Sequence, residues 1–248
     1  MEYPKNIKKQ EIPAYDFLYE LTQQPPDYEP DGKKGPDFLV GGKLAVETTQ
    51  LMQYFSHNGN SFSIDGNNER IYKTLSSILI EYDNRYFGQT FYLTFTYTAE
   101  MPRITPYKNQ IKKSLNEFLQ KEDRGYFAFS IDNKIEFSIF PGSPSPGKVF
   151  KIGASDCIEQ GGNPESIYIC EINRCLELKN HKLSNWVKTY PCNWLILVDK
   201  IGIWDHQINK ELIASKISDL GEFSRLLIIG WDRELRYQIK KGVGCVRF

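Results

Sequence analysis

The amino-acid sequence predicts an α/β fold with a central mixed sheet flanked by helices. Two β-like segments, DFLV and KLAVETTQL, are separated by Gly41-Gly42, which is the pattern of a tight hairpin. Further along the chain, segments with helical spacing of apolar residues alternate with the continuous apolar runs NWLILVD and SRLLIIGW. Such runs are typical of strands buried on both faces, and their alternation with helices indicates an α/β sheet.

Composition limits the class of protein. The 248 residues are 40% apolar and 14% aromatic, which suits one sizeable domain with a large insertion. The 31 basic and 31 acidic residues balance, so any contact with nucleic acid must come from local basic patches. No apolar run approaches the roughly 18 residues of a membrane span, and no signal-peptide pattern opens the sequence. With five cysteines and no CxxC pair, we expect a reduced, cytoplasmic protein without membrane contact.

The elements follow in a clear order. Residues 14–24 have helical spacing, and the proline-rich segment after them predicts a loop that leads into the hairpin. Residues 62–150 show a helix, a strand, a second helix and a second hairpin, which predicts an inserted α+β region that ends at the loop PGSPSPGK. We therefore place the core at residues 14–61 and 151–248, with a long helix from about 164 to 188 before the buried strands.

Two carboxylates stand out in the first hairpin. Asp37 begins its first strand and Glu47 lies late in its second strand, both within otherwise apolar runs. Alternation along the second strand places Glu47 beside the small Ala45, which leaves room for an ion. Carboxylate oxygens suit Mg²⁺ (or Mn²⁺), and one or two of them suffice because this ion keeps several waters. The pair therefore predicts a metal site.

The segment GPDFLVGGKLAVETTQL resembles the PD-(D/E)xK, or restriction-endonuclease-like, nuclease superfamily, whose signature is Pro-Asp, a turn, and Glu-x-Lys on the next strand. Pro36-Asp37 and Glu47 match this signature, whereas Thr49 stands in place of the lysine. The resemblance covers residues 14–50 and 164–235 and implies an αβββαβ core. The remaining strand of its three-stranded meander has no evident pattern in the sequence.

A lysine from the long helix is the candidate replacement, as in those members of the family that supply it from a helix after the hairpin. Taking about 100° per residue, an apolar sector forms on this helix from Ile172, Leu176, Leu183 and Trp186. Lys179 projects into the middle of that sector and Lys182 lies at its edge. A lysine in a core-facing stripe requires a buried anion, or else it lays its methylenes over the core and its ammonium in water.

Other residues are assigned supporting roles. Glu20 on the first helix resembles the additional acidic metal ligand of some family members. Thr49 can orient water or phosphate by hydrogen bonding, and Lys43, four residues before Glu47, is a weaker substitute for the lysine. Two stretches without acidic residues, 101–116 and 235–248, are candidates for phosphate contact. Besides Arg103 and Arg247, these stretches contain the candidate contact residues Lys108, Lys112, Lys113, Arg236, Lys240 and Lys241.

The resemblance implies a Mg²⁺-dependent endonuclease that hydrolyses phosphodiester bonds, with DNA a better candidate substrate than RNA. Asp37 and Glu47 would bind the metal, and Lys179 or Lys182 would assist the attacking water. The alternative is a catalytically inactive module of the same fold that binds nucleic acid or a protein partner, for which Thr49 is the best evidence. The sequence leaves the oligomeric state open, including a homodimer.

Overall fold

The structure, a computed structural model, describes residues 2–32, 35–57, 60–100, 103–159, 162–183, 188–204, 208–217 and 219–241. The fold is mixed α/β and divides into two compact units. Unit 1 comprises Met1–Gln53 and Gly162–Phe248, and unit 2 comprises Tyr54–Gly161.

The helices and strands are numbered in chain order. The α-helices are α1 (Ile12–Thr22), α2 (Ile64–Leu79), α3 (Lys108–Gln120), α4 (Pro164–Leu183) and α5 (Lys210–Lys216). The strands are β1 (Asp27–Tyr28), β2 (Phe38–Val40), β3 (Leu44–Leu51), β4 (Tyr54–His57), β5 (Asn60–Ser63), β6 (Thr90–Tyr97), β7 (Phe127–Ile131), β8 (Ile135–Gly142), β9 (Phe150–Cys157), β10 (Cys192–Asp199), β11 (Arg225–Ile229) and β12 (Leu235–Lys240).

Unit 1 is built on a six-stranded sheet with the order β1-β2-β3-β10-β11-β12. Strands β1, β2 and β3 form an antiparallel meander, β10 runs parallel to both β3 and β11, and β12 is antiparallel to β11. The first strand of the meander, Asp27–Tyr28, lies in the proline-rich segment that we expected to be only a loop. It has just two residues, too few for a periodic pattern.

The two faces of this sheet are both buried. Side chains of α4 and α5 cover one face, where they pack against Ala45 and Leu51 of β3 and against Leu195 and Leu197 of β10. Helix α1 covers the other face, which includes Val46 of β3. Burial on both sides accounts for the continuous apolar runs of β10 and β11 in the sequence.

Unit 2 contains a four-stranded sheet with the order β7-β8-β6-β9 and a separate pair, β4 and β5. One face of the four-stranded sheet packs against α2 and α3. Unit 2 therefore extends beyond the expected 62–150 at both ends, because it begins with β4 and ends after β9, which pairs with β6. The loop PGSPSPGK accordingly connects β8 to β9 within unit 2 and is not the exit from it.

The predicted helices and the two predicted hairpins are present, with shifted ends. Helix α4 ends at Leu183 and Lys188 lies in a turn, so the helix is shorter than the expected 164–188. Trp186, assigned to its apolar sector, lies outside the described residues. In the part of the chain that the structure describes, no helix combines the length and apolar character needed to cross a membrane.

The turn between β2 and β3 sets the register of the hairpin. Gly41 and Gly42 have φ values of 57° and 66°, and the Lys43 amide donates a hydrogen bond of 3.2 Å to the Val40 carbonyl. Both glycines therefore have the left-handed conformation that glycine adopts readily, and three residues, 41–43, separate the paired Val40 and Leu44. The register that results pairs Phe38 with Val46.

This turn generates a prediction about stability. A Cβ at position 42 would meet nothing within 4 Å, so Gly42→Ala introduces only the strain of a left-handed conformation. We expect Gly42→Ala to lower the free energy of unfolding by about 1 kcal/mol. Gly42→Asn should be close to wild type because asparagine tolerates this conformation. Urea denaturation measures both, and equal loss in the two variants would contradict the assigned turn.

Candidate metal and phosphodiester site

The hairpin register brings Asp37 and Glu47 opposite each other. Asp37 immediately precedes Phe38, and Glu47 immediately follows Val46, the residue that pairs with Phe38. The Oδ2 atom of Asp37 accepts a hydrogen bond of 2.8 Å from the Thr48 amide, which fixes the carboxylate beside β3. Two carboxylates from adjacent strands are thereby presented at one place, as the sequence predicts.

Glu47 points to the face of the sheet that α4 covers. Ala45 and Leu51, two residues before and four after it, pack in the cluster that contains α4, whereas Val46 packs in the cluster that contains α1. Alternation along the strand then places Glu47 beneath α4. The residue is only 3% exposed. A carboxylate buried to this degree needs a partner.

Lys179 of α4 is that partner. Its Nζ lies 2.6 Å from Oε2 of Glu47, to which it donates a hydrogen bond, and 3.6 Å from Oδ2 of Asp37. The lysine side chain is 12% exposed and emerges from the apolar sector that includes Ile172 and Leu176. Lys179, which lies 132 residues after Glu47 in the chain, thus completes an Asp-Glu-Lys cluster.

Burial has the largest influence on the pKa values of Glu47 and Lys179, and the charges within the cluster follow. Burial raises the pKa of Glu47, the neighbouring Asp37 carboxylate raises it further, and Lys179 opposes both. For Lys179, burial alone would lower the pKa, but the carboxylates of Asp37 and Glu47 outweigh it and the pKa is raised. The ammonium is therefore held in its charged form.

The other lysine candidates are placed differently. Lys182 is exposed on α4, and its charge lowers the pKa of Glu47 without a direct contact among the described interactions. Lys43 is exposed in the turn before β3. Thr49 is half-buried in β3 on the same face as Glu47, so its hydroxyl belongs to the surroundings of the cluster.

The expected role of Glu20 is corrected by the structure. Helix α1 packs against the face of the sheet opposite to Glu47. Glu20 itself is exposed, with its Oε1 3.5 Å from Nη1 of Arg233. The helical pattern of the first segment showed which residues are buried, but it gave no information about which sheet face the helix covers.

A buried acidic residue that the sequence reading missed lies at the start of α1. Glu11 is 6% exposed and accepts hydrogen bonds of 2.8 Å from both Lys8 and the Tyr28 hydroxyl. Asp37 contributes to the raised pKa of Lys8, after the larger influence of Glu11, so this network adjoins the cluster. The only indication in the sequence was an acidic residue near the beginning of a helix, where acids are common.

Four of the six basic candidates for phosphate contact pair with acidic side chains, either from the same segment or from another one. Lys112 lies 2.7 Å from Glu81, Lys113 lies 3.9 Å from Glu117, and Lys108 lies 3.5 Å from the Ser77 hydroxyl.

In the second stretch, 235–248, two of the three candidates also pair with acidic side chains. Arg236 pairs with Asp232 and Glu234, Lys241 lies 4.0 Å from Asp219, and Lys240 is exposed. Residues 242–248 of this stretch lie outside the described part of the chain. In their described residues, neither stretch is therefore an isolated positive patch.

The residues present fit a hard divalent cation. Within the described ranges, no three His, Cys, Asp or Glu side chains come together as a ready-made metal cage. Asp37 and Glu47 nevertheless each use one oxygen, Oδ2 and Oε2, in the contacts above. Their second oxygens suit a magnesium ion, which binds through one or two carboxylates and retains waters. Comparison with protein-family models, with curated proteins and with solved structures gave no match for this chain.

The burial of Lys179 generates a prediction about stability. Lys179→Ala removes the cation and leaves two carboxylates together beneath α4. We expect the free energy of unfolding to fall by about 3 kcal/mol, because breaking a buried ion pair strands the remaining charge. Lys182→Ala is the matched control on the exposed side and should change stability by less than about 0.5 kcal/mol. Equal effects of the two substitutions in urea denaturation would contradict the described contacts.

The raised pKa of Glu47 predicts a pH dependence. Because the folded protein holds this proton more tightly than the unfolded chain, ionisation costs stability as pH rises above the ordinary value of 4.5. We expect the stability of wild type relative to Glu47→Gln to decrease as pH rises from 4.5 through the raised pKa, and then to level off. Urea denaturation of both proteins between about pH 4 and pH 8 measures this difference. A difference that instead grows in favour of wild type would show that Lys179 lowers the pKa overall.

Proposed function

We propose that this protein is a metal-dependent nuclease that hydrolyses phosphodiester bonds, with DNA as the favoured substrate. The observation that carries the proposal is the position of the Lys179 ammonium, 2.6 Å from Glu47 and 3.6 Å from Asp37. The cluster contains the three residue types of the PD-(D/E)xK signature, although Thr49 stands where that signature has its lysine.

The topology of unit 1 supports the same proposal. Leaving out unit 2 and the short 3-10 helices, the chain order is α1, β1, β2, β3, α4 and β10, which is the αβββαβ order that the resemblance implies. The three strands of the meander are antiparallel, and β10 returns parallel to β3. A similar fold does not establish an activity, so the proposal depends mainly on the Asp-Glu-Lys cluster.

The cluster can perform the chemistry in the following way. A divalent metal bound at Asp37 and Glu47 would neutralise charge on the phosphate and make a bound water more acidic. Lys179 donates a hydrogen bond to the attacking water or to a phosphate oxygen, and its charge opposes the negative charge that develops there. The water oxygen forms a bond to phosphorus, the bond to one ester oxygen breaks, and a proton ends on that leaving oxygen.

The test is cleavage of labelled single-stranded and double-stranded DNA and RNA, with Mg²⁺ or Mn²⁺ and with chelator. We expect metal-dependent cleavage by wild type and a loss of about 100-fold or more in Asp37→Asn, Glu47→Gln and Lys179→Met. Lys182→Ala should stay within a few-fold of wild type, since its side chain is exposed. Full activity in Glu47→Gln would refute the site.

A second variant separates a catalytic from a structural role of the lysine. Thr49 lies on the same face of β3 as Glu47, two residues further on, so a lysine at this position reaches toward the same carboxylate. We expect the double variant Thr49→Lys with Lys179→Met to regain part of the cleavage that Lys179→Met loses. No cleavage by wild type on any substrate would favour the inactive nuclease-fold module.

A further inference from the structure

Unit 2 has a sheet face that its own helices do not cover. Helices α2 and α3 pack on the face formed by residues such as Phe91, Leu93 and Ile139. The alternate residues of the same strands point to the opposite face. There the exposed fractions reach 69% at Tyr126 and 37% at Phe140, although an uncovered face normally has polar side chains.

The aromatic residues of this face form one row across the four strands. Tyr92 of β6 pairs with Phe140 of β8 and with Lys151 of β9. Tyr126 immediately precedes Phe127, which pairs with Ile139. Tyr126 therefore lies next to Phe140, on the side of β8 away from Tyr92. The row is therefore Tyr126, Phe140, Tyr92 and Lys151, with neighbouring strands about 4.8 Å apart.

The geometry within the row is that of rings presented to solvent. The ring centroids of Tyr92 and Phe140 are 6.1 Å apart with an angle of 35° between their planes. The Lys151 ammonium lies 6.0 Å from the Tyr92 ring centroid. A Cβ at Gly142 would overlap the Tyr92 ring, so glycine at this position allows the ring to lie against the backbone of β8.

The surroundings of the row leave its rings accessible to planar ligands. The next positions on the same face are Ala128, Ser138 and Thr94, which are small and leave the rings open from above. Beyond them, a cavity of about 460 Å³ is lined by hydrogen-bonding groups that include Ser130, Lys134 and Glu136.

We propose that this face binds the unpaired bases of single-stranded nucleic acid, which stack on Tyr126, Phe140 and Tyr92, with a phosphate at Lys151. Every base has a π-face, so a line of rings holds a strand irrespective of its sequence, and a lysine at its end supplies the charge for the backbone. Glu136 of β8 and Asp156 of β9 both pair with Thr96, at the opposite end of β6 from Tyr92. Their negative charges disfavour phosphates at that end of the sheet. The choice of nucleic acid as the ligand rests on the proposed function.

The experiment measures binding of the full-length protein to single-stranded oligonucleotides of about 16 residues that contain 2-aminopurine. DNA and RNA are tested separately, with chelator present so that cleavage does not interfere. Stacking on the rings quenches 2-aminopurine fluorescence, whereas a purely electrostatic contact does not. We expect quenching with DNA, RNA or both, and weak competition by a duplex of the same sequence.

Variants of one side chain distinguish stacking from general apolar contact. Phe140→Leu keeps apolar volume but removes the π-face, and should weaken binding about tenfold. Phe140→Trp should bind at least as well as wild type. Phe87→Leu, the same substitution in a ring that is 47% exposed and lies against Phe91 of the covered face, is the matched control and should leave binding unchanged.

The outcomes for this face and for the cluster in unit 1 are separable. Binding of single strands by wild type that Phe140→Leu weakens about tenfold, without any cleavage, would support this face and refute the nuclease. Absence of quenching, or wild-type binding in both Phe140→Leu and Tyr126→Ala, would refute the role of this face even if the protein cleaves nucleic acid.

Discussion

The contact on which unit 1 depends is the buried ammonium of Lys179 between Glu47 and Asp37. The strand pairing forces two carboxylates together, and α4 then covers the more buried one. Without a cation, the repulsion between them and the loss of hydration would both oppose the packing of α4. Lys179 resolves this conflict, since its ammonium contacts both carboxylates. The charge of one helix residue thus permits the sheet and helix to pack.

Stability alone does not explain such a cluster. Buried ion pairs are often replaceable by apolar side chains of similar volume without loss, or with a gain, in stability. Ala45 and Leu195, which lie beside Glu47 on this face, are apolar and buried, so an apolar residue at position 47 would extend the core. A buried cluster of this kind is what the proposed nuclease function would require.

The sequence predicted the parts of this arrangement that local patterns encode. Gly41-Gly42 indicated the turn, the apolar context made Asp37 and Glu47 conspicuous, and helical periodicity placed Lys179 in a buried stripe. It could not reveal β1, which has two residues, or β9, whose burial pattern is irregular. The misassignment of Glu20 has the same origin, because periodicity finds the buried side of α1 but not the sheet face it covers. The acidic partners of Lys112 and Lys241 come from distant segments, which no local pattern records.

Supplying the lysine from α4 has a consequence for how the site forms. A lysine at position 49 would complete the site within the hairpin, so that the register of β2 and β3 alone would determine the geometry. Here the hairpin contributes only the carboxylates, and the ammonium arrives when α4 packs on the sheet. Any state in which α4 is displaced therefore has two unneutralised carboxylates and lacks the ammonium that the proposed mechanism requires. The same packing that buries the core of unit 1 thus also assembles the Asp-Glu-Lys cluster, and the two are lost together.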